Sequence, residues 1–309
     1  MSDISFTAPK SISALRRIMF VSLLSCSATI YASSVESGVS FSVIRTAQSS
    51  GTSEAMIVEG GDLFTWRKLE HVAVLVHHPH GDFLWDTGMG SEAKAQMEEF
   101  SFIDSVLFSI DNIIPARQQL DANGYDINQL IAIIPSHMHW DHASGIEDFL
   151  GVPIWVQQKS YDEAAVGQPP GFLQSQYDSN AINWKILEMT DESYRGFPMS
   201  LDIFGDRSAV LVDLSGHTHG QLGLFLTTEN GKRYFFIGDT AWTVKGVNEN
   251  KSRPAIERWL LGVDTDIEEN ANVLEKIHQL SKKDNELSIV PAHDELQIKK
   301  LPHYPQFHQ

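Results

Sequence analysis

The 309-residue chain is almost free of cysteine: Cys26 is its one thiol. It sits near the N-terminus, ahead of every segment that reads as strand or helix. The folded part can therefore form no disulfide, whatever its compartment. The same scarcity removes thiolate from the metal ligands the fold can offer. Basic residues are also in short supply. The 23 Lys and Arg face 40 Asp and Glu, giving a formal net charge of −17. Without a basic surplus or a run of Lys and Arg, the chain has little to neutralise phosphates with, which argues against a nucleic-acid partner. No apolar run is long enough to span a bilayer as a helix, and no fixed-period repeat is visible. What remains is a 42% hydrophobic composition of globular type, on a chain long enough for one large domain or two small ones.

The first residues read as an export signal. Lys10, Arg16 and Arg17 precede the short apolar segment 18–24, with small residues around Ala32 where cleavage can fall. Residues 1–32 are thus expected to be a signal peptide, and the protein periplasmic or secreted. Leu23-Leu24-Ser25-Cys26 also resembles a bacterial lipobox, with Cys26 as a lipid-anchored residue and the one expected membrane attachment. Removing residues 1–32 takes away Lys10, Arg16, Arg17 and Asp3, which moves the net charge from −17 to −19.

Behind the leader, strands and helices alternate. Segments 40–44, 55–58, 71–76, 83–85, 131–134, 153–156, 209–214, 223–227, 234–237 and 287–290 have strand composition. A hairpin is expected around Pro79-His80-Gly81-Asp82. Residues 91–100 and 115–122 favour helix, the second stopped by Asn123-Gly124. A capped turn opens at Asp126. Thr265-Asp266-Ile267-Glu268 caps a helix with the apolar face Ile267, Ala271, Leu274 and Ile277. Residues 159–205 are less regular and read as an insertion or lid. The pattern is a single α/β domain over residues 36–300, with a short tail at 301–309.

The densest chemistry lies in Ser136-His137-Met138-His139-Trp140-Asp141-His142, directly after the apolar run 131–134. Alternate residues of extended chain point the same way, so His137 and His139 can share a side, while Asp141 and His142 reach a second position. Imidazole and carboxylate suit zinc or iron-type ions, and this spacing points to two metals side by side and to hydrolysis. His217 in Ser215-Gly216-His217-Thr218, Asp239 after segment 234–237 and His293 after 287–290 are further candidates at strand ends. Asp86-Thr87-Gly88 ends the strand 83–85 in a turn.

Taken in order, His137-x-His139-x-Asp141-His142, Gly216-His217-Thr218, Gly238-Asp239-Thr240 and Pro291-Ala292-His293-Asp294 resemble the metallo-β-lactamase superfamily over about residues 40–295. The resemblance implies an αββα sandwich with its site along one edge. It puts His137, His139 and His217 on one metal, Asp141, His142 and His293 on a second, and Asp239 between them. Asp86 would support the ligands from behind. The implied cofactors are two divalent ions, zinc first, with iron, manganese or cobalt also accepted by such ligands. Two cations sharing a water lower its pKa toward neutrality, and Asp141 helps orient that water.

Within the superfamily, Asp239 stands where cysteine-ligand β-lactamases have Cys, and it also argues against the all-histidine type. The acidity opposes the nucleic-acid branches, and flavodiiron oxidoreductases alter the first motif and carry a flavin domain, for which no room is expected here. Acyl-homoserine-lactonase-like and glyoxalase II-like hydrolases are left. No basic glutathione site is visible, so the expected activity is hydrolysis of a lactone or ester carbonyl of a small molecule. Thioesterase, phosphodiesterase or β-lactamase-like activity are the alternatives, and an exported metal-binding protein is the non-enzymatic one. His77, His78 and His80 read as a solvated hairpin, His219 as a surface or supporting residue, Gln221 as a replacement for a second histidine, and His303 and His308 as tail. The apolar stretch 100–108 is expected to pack in the core or cover the site, or else to wall an acyl chain.

Overall fold

The apolar runs pair into two sheets. The structure, a computed structural model, describes residues 38–307 other than 256, 257 and 259–261. The expected leader, Cys26 and His308 lie outside the described residues. The first sheet uses β1 (Ser40–Ser49), β4 (Glu70–His77), β5 (Asp82–Trp85), β6 (Ile110–Asp111), β7 (Leu130–Ile134), β8 (Pro153–Gln157) and β9 (Asn183–Leu187), in the order β6-β1-β4-β5-β7-β8-β9. A small ribbon of β2 (Thr52–Ser53) and β3 (Trp66–Arg67) stands beside it. The second sheet runs β10-β11-β12-β13-β14, from β10 (Ser200–Asp202), β11 (Ala209–Asp213), β12 (Leu222–Thr227), β13 (Arg233–Phe236) and β14 (Leu287–Val290).

Alternation along the strands explains the layering. Val74 and Val76 of β4 face the second sheet, where Phe41, Phe83, Leu224 and Phe236 join them in one core. Ala73 and Leu75 face the other way and pack with Ile133, Leu120 and Phe149. The outer face of the second sheet, with Val212 and Phe235, is covered by Val273, Leu274 and Ile277. These come from the long helix, one of eight described: α1 (Ala93–Gln96), α2 (Phe102–Leu107), α3 (Ala116–Ala122), α4 (Trp140–Ala143), α5 (Gln158–Val166), α6 (Val244–Glu249), α7 (Ile267–Lys283) and α8 (Glu295–Ile298). The result is an αββα sandwich. The strands run parallel through β5-β7-β8-β9, and β5 and β7 in the middle of the sheet are buried on both faces, which is why 131–134 reads as unbroken apolar sequence. No described helix is long and apolar enough to cross a membrane.

Four expectations change. Residues 55–58 form no strand: Glu54–Met56 is a 3-10 turn whose Ser53 side chain accepts from the Ala55 N–H, and only Ile57 and Val58 are buried. Four apolar residues are too few for periodicity to separate turn from strand. On α7, Ile267 is 48% exposed and Ala271 is exposed, whereas Asn270, Val273, Leu274, Ile277 and His278 are buried. The first turn packs against the Gly216 loop, and that contact rotates the buried stripe. Residues 159–205 carry α5, β9 and β10, so this segment supplies an edge strand to each sheet. The tail is ordered against β1: the Val43 N–H donates to Pro302 O at 2.8 Å and the Tyr304 N–H to Val43 O at 2.9 Å.

Candidate metal centre

Five chain segments meet where strands end. Trp85 of β5 leads into Asp86, Ile134 of β7 into His137–His142, Asp213 of β11 into His217, Phe236 of β13 into Asp239 and Val290 of β14 into His293. Two turns need glycine. At Gly216, φ is +141° and a Cβ would lie 2.4 Å from Asn270 N, so only glycine lets the His217 loop close on α7. Gly238, at φ +51°, makes the turn that swings Asp239 off β13. His139 sits at the N-cap of α4, which carries Asp141 and His142 on its single turn.

The seven side chains singled out in the sequence come together. His137, His139 and His217 form one group, His137, His142 and Asp239 a second, with ligand atoms in each group within 4.8 Å of one another. His293 Nε2 lies 3.0 Å from Asp239 Oδ2 and 3.4 Å from Asp141 Oδ2. Asp239 is central, with His142 Nε2 3.4 Å from Oδ1 and His217 Nε2 3.7 Å from Oδ2. All seven are buried.

This set fits metal ions. His137 Nε2 and Asp239 Oδ1 are buried and make no hydrogen bond among the described residues, a costly state for polar atoms that nothing compensates. Two pairs of ring nitrogens face each other, His139 Nδ1 with His217 Nε2 at 3.0 Å and His142 Nε2 with His293 Nε2 at 3.4 Å. Burial holds the His137 and His139 imidazoles well below their ordinary pKa, with the neighbouring histidines adding to the effect. Neutral imidazoles are the form that ligates. Burial opposes ionisation of Asp239, but the His293 and His142 rings outweigh it and hold the carboxyl well below the usual carboxylate range.

The outward ring nitrogens are anchored, which fixes tautomer and orientation. His217 Nδ1 donates to Asp264 Oδ1 at 2.9 Å, and His293 Nδ1 to Glu70 O at 2.7 Å. His142 Nδ1 lies 3.0 Å from Asp86 Oδ2, and Asp86 also accepts from the Ser136 N–H at 2.5 Å. Asp86 has φ 55°, a left-handed conformation rare for a residue with a side chain. Arg253, fully buried, ion-pairs with Asp264 and donates from Nη1 to Asp239 O at 2.6 Å. Trp242 Nε1 donates to Asp239 Oδ2 at 2.8 Å.

A pocket opens over the cluster, walled by Leu107, Phe108, Trp140, Trp242, Pro170 and Gly171. Trp140 packs on Phe100 and Phe108, with ring centroids 5.2 Å and 5.8 Å away, and so both fills a small core and borders the pocket. The Trp140 backbone N–H donates to Gly171 O at 2.9 Å, which fastens the segment after α5 beside the cluster. The stretch 100–108 divides: Phe100 is buried, Leu107 and Phe108 reach the pocket, and Phe102 is 85% exposed on α2.

Other polar residues fall differently from expectation. His78 is buried, 3.0 Å from Asp206 through Nε2 and stacked on Phe204 at 3.6 Å, so it is not solvated. His80 is exposed and His77 partners Asp82. His219 is a surface residue 3.3 Å from Glu163. Gln221 is fully buried and accepts from the Asp239 N–H at 3.1 Å, holding the loop that carries Asp239. His303 is half-buried in the ordered tail. Sequence reading missed Asp264, Arg253, Trp242 and His71. His71 groups with Asp141 and His293, and its Nδ1 lies 3.1 Å from Asp141 Oδ2. A histidine opening an otherwise apolar strand was its one visible signal.

The chain resembles known proteins over the same region. It is 24% identical over 239 residues to the N-acyl homoserine lactonase AttM of Rhizobium radiobacter, covering 74% of this chain and 85% of the relative, and is homologous to such lactonases. Its fold matches that of an N-acyl homoserine lactone hydrolase solved with N-hexanoyl-L-homoserine at its catalytic metal centre, with a TM-score of 0.67, 20% identity, and 88% of this chain and 98% of that one covered. It also matches AidC, a dizinc quorum-quenching lactonase, with a TM-score of 0.51, 15% identity, and 78% and 76% covered. The metallo-beta-lactamase superfamily model matches residues 66–293, from β3 to the last histidine of the cluster, and the chain belongs to that superfamily.

Proposed function

We propose that the protein is a hydrolase that opens the ring of N-acyl homoserine lactones, with two divalent ions, zinc foremost, held by the seven side chains. The carrying observation is the buried cluster of seven converging side chains, with His137 Nε2 and Asp239 Oδ1 lacking any partner among the described residues, beneath an apolar pocket, on a chain homologous to lactonases. His137, His139 and His217 would hold one ion, Asp141, His142 and His293 the other, and Asp239 both. When bound, the ions supply Lewis-acid polarisation of the carbonyl and a more acidic water.

The protein's own groups do the rest. Asp141, at the pocket floor, orients the attacking water through its carboxylate. Leu107, Phe108 and Trp140 offer the acyl chain an apolar wall, and burying it positions the ring over the cluster. Trp242 Nε1 and Arg253 Nη1 hold Asp239 from side chain and backbone and keep it from rotating. Asp264 does the same for His217. Export, directed by residues 1–32 with Cys26 as a lipid anchor in one version, is part of the proposal, since a diffusible lactone meets an exported enzyme before entering a cell.

The test is a panel of N-acyl homoserine lactones, a thioester, a β-lactam and a phosphodiester, run on metal-replete and chelator-stripped protein. Lactone opening that vanishes on stripping and returns with zinc is expected. Full lactone opening by stripped protein, or a preference for another member of the panel, would overturn the reading.

A further inference from the structure

His71 is the polar side chain that stands between the two halves of the site. On one side its Nδ1 lies 3.1 Å from Asp141 Oδ2, in the cluster. On the other its ring is 5.7 Å from that of Trp140, in the apolar wall. The ring lines the pocket. Its place is fixed by backbone: the Glu70 N–H donates to His293 O at 3.2 Å, and Glu70 O accepts from His293 Nδ1 at 2.7 Å. The residue before His71 is thus tied on both sides to a residue of the cluster.

The hydrogen bond settles the tautomer. A carboxylate oxygen only accepts, so the shared proton sits on His71 Nδ1. Neutral imidazole then carries a bare acceptor at Nε2. Nε2 makes no hydrogen bond to any described residue, and Nδ1 is already engaged. The ring therefore offers the pocket one acceptor, set between the place of the reacting carbonyl and the wall that takes the acyl chain.

We propose that His71 is a specificity-determining residue, whose Nε2 accepts a hydrogen bond from the amide N–H joining the acyl chain to the lactone ring. This rests on the lactonase reading above. The substrate class it selects is the N-acylated lactone over lactones lacking a donor at that position. A site built to accept from an N–H discriminates against analogues without one, because its acceptor is then desolvated and unpaired.

The experiment compares wild type, His71→Phe and His71→Gln, all metal-replete, on N-hexanoyl homoserine lactone and on the O-acyl analogue in which oxygen replaces the amide N–H. Wild type is expected to prefer the amide by about tenfold or more in kcat/KM. In His71→Phe that ratio falls to within about twofold, whatever the absolute rates. In His71→Gln, which can donate to Asp141 through Nε2 and accept through Oε1, most of the preference returns. Metal analysis finds the same ion content in all three. Loss of an ion in His71→Phe would make His71 a ligand and overturn the proposal. So would an unchanged ratio in that variant, or hydrolysis of both lactones by wild type without preference. If His71→Phe does not fold, the wild-type preference and the His71→Gln ratio decide. Failure of metal-replete wild type to open either lactone overturns the lactonase reading and this inference together, whereas opening without preference overturns this inference alone.

Discussion

Two histidine-rich regions occupy opposite roles in this molecule. His137, His139 and His142 follow β7; His77, His78 and His80 span the turn between β4 and β5. In composition the two look alike. Their ring nitrogens differ. In the hairpin group, His78 Nε2 meets Asp206, His78 Nδ1 accepts the His80 N–H at 3.0 Å, and His77 Nδ1 meets Asp82 at 2.7 Å. In the cluster group, His137 Nδ1 lies 3.0 Å from Ser136 Oγ and His142 Nδ1 3.0 Å from Asp86 Oδ2, while His139 Nδ1 and His142 Nε2 face ring nitrogens of His217 and His293 and His137 Nε2 has no partner among the described residues. Histidine density alone therefore says little. Convergence of lone pairs that protein groups do not satisfy is what marks a metal site.

Four measurements would sharpen or break this contrast. The largest effect is expected from Asp239→Asn, which weakens the shared ligand: kcat/KM for lactone opening should fall about a thousandfold, about 4 kcal/mol of barrier, with fewer ions retained on metal analysis. Near-normal turnover in that variant would put the reaction elsewhere. Next comes Asp264→Asn, which loosens the His217 ring. Competition with a chromogenic chelator should show metal affinity reduced by about 10- to 100-fold. Unchanged affinity would mean that Arg253 and the loop hold His217 unaided.

Smaller effects belong to the hairpin. His78→Ala removes a buried ring stacked on Phe204 and should lower unfolding stability by about 1–3 kcal/mol while changing turnover by less than about twofold. Loss of ions there would erase the distinction between the two groups. The smallest effect is a pH dependence. Partial burial raises the Asp206 pKa, but hydrogen bonds from Ser208 and His78 outweigh it and bring the carboxyl down to about 2 from 3.8. A pKa lowered on folding contributes stability above the unfolded value and loses it as pH falls toward the folded one. The Tm gap between wild type and Asp206→Asn should thus be present at about pH 5 and close as the pH falls from about 4 to about 2. Because Asp206 is half exposed, the gap is small.

Motif-bearing residues were legible because each motif is local. His137 to His142 lie on six consecutive residues, and His217, Asp239 and His293 each follow an apolar strand, so strand ends alone bring them together. The sheets were legible for the same reason: alternation and unbroken apolar runs name their own faces. Residues that act through distant partners were not. Arg253 reaches Asp264 and Asp239 only after β13, α6 and α7 are in place, and nothing around it in the sequence signals burial. His78 sits on a face that alternation assigns to solvent, and Phe204 and Asp206, over a hundred residues on, help to cover it. His71 carries no motif, and its nearness to Asp141 comes from β4 lying beside the loop of His293.

The ordered tail has a consequence for self-association. β6 pairs only with Gln48 and Ser49, which leaves the earlier part of β1 open along that edge. Pro302 and Tyr304 occupy it through Val43, and Ser42 Oγ donates to Gln306 O at 2.6 Å. An uncovered strand edge is a template for another chain. Here residues 302–306 act as a plug against intermolecular β-pairing, so clipping them would be felt first as a loss of solubility.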